Sequence, residues 1–296
     1  MKRLLSGLTA LLMLTVMAPS AEAAGRDMDV SDEGVDFIKQ YEGFSEKPYM
    51  DNGIWRIGYG TECKSTEYAD GISEEEATEL FHETLEEYVG YVNDFADEND
   101  IEFEQCQFDA LVSFTYNLGS GWMDPEYKLS RYLSDGIENY DDITMMETVA
   151  AWCHVGTSVD EGLLNRRLAE AALLIYGDYE GDDSPEFVCA VLDSNGGSIE
   201  KDVLCFYEGD TLYERLPDAE REDYILAGWY YADGKEVGEK DTIDEDITLS
   251  ARWFKDINLP FVDVAPDSWY YGYVGDLYSE GIVEGMTPDT FEPAGS

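Results

Sequence analysis

The sequence predicts an α+β protein of several domains: a mainly helical first domain with a small β-hairpin, a small β domain, and a short helical segment at the end. Three observations support this fold class. Apolar residues repeat at helical spacing over residues 29–179, and short β-rich stretches alternate with turn residues over residues 186–254. Between these regions, residues 181–185 are polar and helix-breaking, which predicts a linker. A chain of 296 residues is long enough for more than one core.

The first domain is expected to open with a helix followed by a hairpin. Ser31 is a suitable N-cap, apolar residues follow it at helical spacing, and Gly43 is suited to end the helix. Asn52-Gly53 separates two short runs and predicts a two-residue hairpin turn. These elements place Glu42 at the C-terminal end of a helix and Asp51 at the hairpin turn.

Later helices of this domain have their own start and stop signals. Ser73 with Glu76, and Thr144 with Glu147, each have the spacing of a capping box. Two further helices are predicted from apolar faces that end at a glycine: Phe108 to Leu118 before Gly119, and Leu164 to Ile175 before Gly177.

Four β-rich stretches predict the second domain: Phe187–Leu192, Val203–Tyr207, Tyr224–Tyr231 and Ile247–Trp253. Cys189 and Cys205 flank an Asn-Gly-Gly turn at nearly equal distances, so a hairpin would set them opposite each other, and a disulfide between them is a reasonable hypothesis. Cys63, Cys106 and Cys153 leave an odd thiol; a bridge among them or three buried small side chains remain open.

Residues 1–23 have the organisation of a signal peptide. Lys2 and Arg3 precede an apolar stretch, and Ala21-Glu22-Ala23 provides a small-residue exit, so the mature chain is expected to begin near Ala24. A retained membrane anchor is the alternative, although the stretch is short for one. We therefore expect a secreted protein with no membrane contact after signal removal, domains at 24–180, 186–254 and 258–296, and a linker between the first two.

The net charge of −48, with 66 acidic and only 18 basic residues, argues against a nucleic-acid partner, which needs a cationic surface. Solubility by mutual repulsion and exclusion of anionic wall polymers are the two explanations. Asp29–Gly34 resembles half of a calcium loop, but Gln40 stands where a bidentate Glu belongs. The only histidines, His82 and His154, lack a zinc or Ser-His pattern. No metal or cofactor is expected.

Glu42 and Asp51 are the candidate catalytic residues. Cleavage of a glycosidic bond takes a carboxylic acid that protonates the leaving oxygen and a carboxylate that activates water or attacks carbon. Glu42 suits the acid, because the negative end of its helix penalises ionisation. Asp51, at a turn, is expected to be more solvated and ionised. In so acidic a chain the pair alone proves little, and the surrounding residues carry the signal.

Those residues are Tyr41–Asp51, then Ile57-Gly58-Tyr59-Gly60, then Gln107–Gly119 and Gly162–Glu170. In this order they resemble the phage-type lysozymes, glycoside hydrolase family 24, over about half of the chain. The resemblance implies hydrolysis of the β-1,4 bond from N-acetylmuramic acid to N-acetylglucosamine in peptidoglycan. It also implies Glu42 as acid and Asp51 as base or stabiliser.

The resemblance further implies that Tyr59, Gly60, Tyr116 and Asn117 line the substrate cleft. Tyr116 and Asn117 are equally well explained as core and helix-end residues. Arg56 departs from the family, which usually has Thr there, and a guanidinium cannot accept a hydrogen bond from the attacking water. We therefore expect Arg56, as a candidate catalytic residue, to weaken the enzyme without silencing it. Arg166-Arg167 is interpreted as a surface or ion-paired face.

The C-terminal segments resemble wall-associated modules. Leu192–Gly197, Ala227–Tyr230 and Ile247–Trp253 resemble the Listeria–Bacteroides repeat of internalin B type, a β-grasp-like module with Trp229 and Trp253 in its core. Residues 258–296 resemble a single partial S-layer homology module, which implies a secondary cell-wall polymer as a partner and a cell-wall location. The alternatives to a muramidase are a catalytically impaired peptidoglycan-binding protein and a surface adhesin.

Overall fold

The structure, a computed structural model, describes residues 27–266 and 268–293, so the predicted signal peptide lies outside the described residues. Within them, the predicted α+β multidomain architecture is confirmed. The helices are α1 Asp32–Glu42, α2 Glu74–Asn99, α3 Gln105–Leu118, α4 Lys128–Asp135, α5 Asp142–Ala150, α6 Glu161–Tyr176 and α7 Tyr271–Ser279.

The strands are β1 Ser45–Asp51, β2 Ile54–Gly58, β3 Thr61–Glu62, β4 His154–Val155, β5 Ser158–Val159, β6 Phe187–Asp193, β7 Val203–Tyr207, β8 Asp210–Thr211, β9 Tyr224–Tyr230, β10 Thr242–Ile243 and β11 Ile247–Lys255. The first three form an antiparallel sheet beside the helices. The β domain has a four-stranded sheet of order β7-β6-β11-β9, in which β6 and β11 run parallel. β4 pairs with β5, and β8 with β10.

Local sequence signals explain most element boundaries. Ser31 caps α1 by accepting a hydrogen bond from Gly34 N, and the predicted capping box of Ser73 and Glu76 opens α2. Asn52 and Gly53 have φ of 46° and 90°, the left-handed conformations that a tight hairpin turn requires.

One predicted cap is wrong. Thr144 and Glu147 do not form a capping box, because Asp141 caps α5 instead and accepts from Thr144 N at 2.9 Å. Glu147 is 6% exposed and its carboxylate points to the β domain. The Glu147 side chain thus contacts the β domain instead of capping the helix as the local pattern had predicted.

The core of the helical domain is built around α3 and α6. α3 is buried along eight consecutive residues, 108–115, because other helices and the Trp122 side chain cover it. Three residues of the β domain, Cys189, Val203 and Cys205, belong to the same apolar cluster. The two domains therefore share part of a core.

Polar contacts fix the same interface. The Glu147 carboxylate accepts hydrogen bonds from Lys201 Nζ at 2.6 Å, from Cys205 N at 3.1 Å, and from Arg215. Cys189 lies directly opposite Cys205 in the strand register, as predicted from the turn between them. The disulfide hypothesised between them is not formed: both are free thiols, with their sulfur atoms 3.1 Å apart at hydrogen-bond distance.

The predicted linker is folded back on one carboxylate. Asp178 accepts hydrogen bonds from successive backbone N–H groups of residues 180–184, at 2.7 to 3.2 Å. Burial opposes ionisation of this group, but the bonds from Ser184, Gly181 and Asp182 outweigh it and lower the pKa of Asp178 to about 2. The segment is thus a closed turn rather than an extended tether.

The last segment packs on β11 through α7. The Phe254 and Tyr273 rings meet edge to face at 4.5 Å, and Tyr271 donates to Ile257 O at 2.8 Å. A small core forms around Phe261 and Val274. In the described part of the chain, no helix combines the length and apolarity needed to cross a membrane.

Candidate active site

Glu42 is the last residue of α1, and its side chain is 20% exposed. Its Oε1 accepts a hydrogen bond from Arg166 Nη1 at 2.7 Å. Gly43 follows with φ of 65°, which turns the chain away from the helix and into β1. The helix end therefore presents the carboxyl, and a residue 124 positions later in the chain holds it.

Arg166 is itself held by a buried polar network. Its Nε donates to Glu170 Oε1 at 3.0 Å, and Ser113 Oγ donates to the same oxygen at 2.6 Å. Burial opposes the charge of Arg166, but the carboxylates of Glu170 and Glu42 outweigh it and raise the pKa of Arg166 above its ordinary value. The network fixes the cation that positions Glu42.

Asp51 is the last residue of β1, at the hairpin turn, and its side chain is 46% exposed. Arg56 on β2 brings its Nε to 3.3 Å from Asp51 Oδ2, and its Nη1 donates to Gly60 O at 2.7 Å. Asn52 Nδ2 also donates to Asp51, at 3.1 Å. As expected, Asp51 is the more solvated of the two carboxyls.

Tyr116 connects the two sides. Its hydroxyl donates to Tyr59 O at 3.5 Å, and a Cβ at Gly60 would lie 3.4 Å from the hydroxyl oxygen. Burial, and next the negative charge of Glu42, raise the pKa of Tyr116 well above its ordinary value, while Arg56 acts in the opposite direction. The charge of Glu42 and the charge of Arg56, which contacts Asp51, therefore both affect the Tyr116 phenol.

The other predicted cleft residues differ in exposure. Tyr59 is 6% exposed, and its ring packs between Phe44 and Phe81, so only its carbonyl is directed to Tyr116. Asn117 is exposed at the end of α3, and its Oδ1 accepts from Arg167 Nη2 at 2.9 Å. Tyr59 is thus a core residue, whereas Asn117 is available at the surface.

The buried network was missed from the sequence. Arg166 and Arg167 are ion-paired, as one interpretation had it, but their side chains are 5% and 0% exposed and do not form a surface face. The signal in the sequence is Glu170, four residues after Arg166 and three after Arg167 on an otherwise apolar helix. A carboxylate at that spacing can neutralise both cations.

The calcium alternative has no support in the described residues. Asp29 Oδ1 accepts from the adjacent Val30 N, and Ser31 is engaged as a helix cap. Across residues 27–266 and 268–293, no group of three or more Asp, Glu, His and Cys side chains is arranged to hold a metal ion.

This site lies within a recognisable family match. Residues 39–170 match the Phage lysozyme family, and residues 260–296 match the S-layer homology domain. The first match includes every predicted site residue, from Glu42 to Asn117. This match, over less than half of the chain, indicates that the helical domain is of the muramidase-type glycoside hydrolase class.

Individual proteins are similar to about half of the chain. The chain is 32% identical over 154 residues to an endolysin of Bacillus phage B103, covering 51% of this chain and 56% of the relative, so it spans about half of that relative's length. It is 28% identical to an endolysin of Acyrthosiphon pisum secondary endosymbiont phage 1, covering 49% of this chain and 97% of that one. A solved endolysin from Escherichia coli O157:H7 phage FAHEc1 is 30% identical, with a TM-score of 0.44, and covers 51% of this chain and 96% of its own.

Proposed function

We propose that this protein is a secreted peptidoglycan hydrolase that cleaves the β-1,4 bond between N-acetylmuramic acid and N-acetylglucosamine. The observation that carries the proposal is the arrangement of Glu42 and Asp51. The two carboxyls come from a helix end and a hairpin, each is contacted by its own arginine, and the charges of Glu42 and Arg56 both act on the Tyr116 phenol. The match to the phage lysozyme family and the endolysin relatives support the same reaction.

In this proposal Glu42 protonates the leaving oxygen. A general acid must carry its proton, whereas a guanidinium partner stabilises a carboxylate. Arg166 donates to Glu42 Oε1 at 2.7 Å, so the incoming glycan has to weaken this contact before Glu42 can reach the leaving oxygen. Glu170 makes this possible, because it keeps Arg166 neutralised when Glu42 is protonated.

Asp51 is the base or stabiliser on the opposite side. Arg56 contacts this carboxylate through Nε at 3.3 Å, and the bond from its Nη1 to Gly60 O at 2.7 Å fixes the guanidinium in that position. Since Arg56 offers only donors, Asp51 must orient any attacking water without the hydroxyl that a Thr would supply. We expect an active enzyme with slower turnover than a Thr-containing one.

We further propose that the C-terminal regions hold the enzyme at cell walls. The S-layer homology match at residues 260–296 favours binding to a secondary cell-wall polymer. In the β domain, parallel β6 and β11 lie between β7 and β9, an order compatible with a β-grasp-like module of internalin B type. Trp229 is 4% exposed, which fits a structural role for that side chain.

The direct test incubates the full chain with purified peptidoglycan and identifies the new reducing ends by mass spectrometry. Muramidase activity predicts N-acetylmuramic acid at the reducing end of every product. Reducing N-acetylglucosamine ends would indicate the other glycan bond. Binding to sacculi without release of reducing ends would favour the alternative function, that of a catalytically impaired wall-binding protein or adhesin. The observation that supports this alternative is Arg56, which stands where the family usually has Thr.

A further inference from the structure

A cleft of about 410 Å³ lies between the helical domain and the β domain. One wall comes from α4, α5 and the residues after α5, and the other comes from residues 200–203, which lead into β7. None of Glu42, Asp51, Arg56 and Tyr116 lines it. Because the walls belong to two domains, the cleft exists only when these domains pack together.

Aromatic side chains make up much of the helical wall. Tyr127 is 46% exposed, and its ring meets Trp152 edge to face at 4.9 Å. Trp152 also contacts the core residue Phe114 at 5.9 Å, and Tyr132 is stacked on Tyr140 at 3.8 Å. Packing therefore holds these rings in place, and binding a ligand to them costs little conformational entropy.

The charges of the lining argue against an anionic ligand. Lys128 and Lys201 face three carboxylates, those of Glu147, Glu200 and Asp202. Lys201 is paired with Glu147 at 2.6 Å and Lys128 lies 4.0 Å from Glu200, so the carboxylates outnumber the two cations in the lining. The net charge of −48 repels anions as well.

The remaining features are those of a site for a neutral, polyhydroxylated ring. A pyranose has an apolar C–H face that packs on an aromatic ring, and its hydroxyl and amide groups need both donors and acceptors at the rim. The cleft supplies tyrosine and tryptophan rings with Lys and carboxylate groups beside them. Its volume lies in the range of small-molecule sites.

We infer that this interdomain cleft is a second glycan-binding site, separate from the candidate active site, and that it takes an uncharged N-acetylhexosamine segment. The β domain then contributes directly to glycan recognition through residues 200–203. A glycan held here adds a second point of attachment on polymeric substrate, which short fragments held only at the active site lack.

The test uses isothermal titration of N,N′,N″-triacetylchitotriose into the full chain carrying Glu42→Gln, so that no cleavage occurs. Tyr127→Ala removes the exposed ring, and Ala151→Phe fills the cleft from the same wall. We expect either change to weaken the cleft site about tenfold, the value of one aromatic contact. Tyr213→Ala is the matched control, because Tyr213 is 47% exposed and lies outside the lining.

Unchanged affinity in both cleft variants, with normal near-ultraviolet circular dichroism, would overturn the inference. If Tyr127→Ala fails to fold, Ala151→Phe decides the question alone. Hydrolysis is measured separately on the same variants in the Glu42 background. Binding of chitotriose in the cleft without hydrolysis would contradict the proposed function and leave this inference intact. Hydrolysis without binding in the cleft would contradict this inference and leave the proposed function intact.

Discussion

The two arginine–carboxylate pairs of the candidate site are built differently. The Arg166 side chain is 5% exposed and contacts Glu42 and Glu170 together, whereas Arg56 is 33% exposed and contacts Asp51 at the edge of a hairpin. A buried charge network is costly to break, and an exposed pair contributes little to stability. The fold thus fixes Glu42 through its core and leaves Asp51 adjustable, so changes on the two sides should have different consequences.

The largest effect is expected for Glu42→Gln. The amide cannot deliver a proton, so hydrolysis of peptidoglycan should fall by about 10² to 10⁴. The unfolding temperature should fall far less than in Glu170→Gln, because the amide oxygen can still accept the bond from Arg166 and Glu170 still neutralises that cation. Reducing-end release measures the rate, and Glu33→Gln, in the first turn of the same helix, is the control. A mutant as fast as the parent would show that the acid is elsewhere.

Glu170→Gln should destabilise the buried network that holds Arg166. It leaves Arg166 and Arg167 without the carboxylate that both contact, so the free energy of unfolding should fall by about 3 to 5 kcal/mol. Urea denaturation followed by tryptophan fluorescence measures the change. The exposed Glu161→Gln on the same helix should alter stability far less. Equal stability of the two variants would contradict the assigned role of the network.

Asp51→Asn should separate activity from stability. Because Asp51 and Arg56 are partly exposed, we expect a change in unfolding free energy below about 1 kcal/mol. The rate of hydrolysis should nevertheless fall on the order of 10², since the neutral amide can neither activate water nor stabilise positive charge on the sugar. Asp70→Asn, another exposed position, serves as the control. Full activity of Asp51→Asn would remove this residue from the mechanism.

The smallest effect is expected for Arg56→Thr. A hydroxyl would restore a group that can place the attacking water, and we expect turnover to rise roughly tenfold. Arg56→Lys separates charge from shape, because it keeps the cation but loses the fork that contacts Asp51 and Gly60 together. If a well-folded Arg56→Thr loses activity instead, Arg56 is a working group of this enzyme.

Local signals predicted the elements that carry the site. Ser31, Asn52-Gly53 and Ser73 each act within a few residues of their partners, so their patterns alone fixed the start of α1, the hairpin turn and the start of α2. Glu42 and Asp51 followed from these elements. The same reasoning failed at Glu147, where a suitable spacing existed but contacts with Lys201 and Arg215 determine the side chain's position.

The features that could not be predicted from the sequence depend on contacts between residues far apart in the chain. Arg166 meets Glu42 across 124 positions, and no local pattern distinguishes that contact from a surface ion pair. The close packing of the two domains was also missed, because residues 181–185 have the composition of a flexible linker. Asp178, which organises them, precedes the stretch and resembles any other acidic residue of this chain.

The turn around Asp178 has a consequence for the resistance of the protein to proteolysis. Proteases cleave segments that can open into an extended strand, and most two-domain proteins offer one at their junction. Here opening the segment would release its backbone N–H groups from one carboxylate, while the shared cluster with Cys189 and Val203 holds the flanking domain in place. The junction between the two domains is thereby a poor site for proteolytic cleavage, and the β domain stays attached to the helical domain.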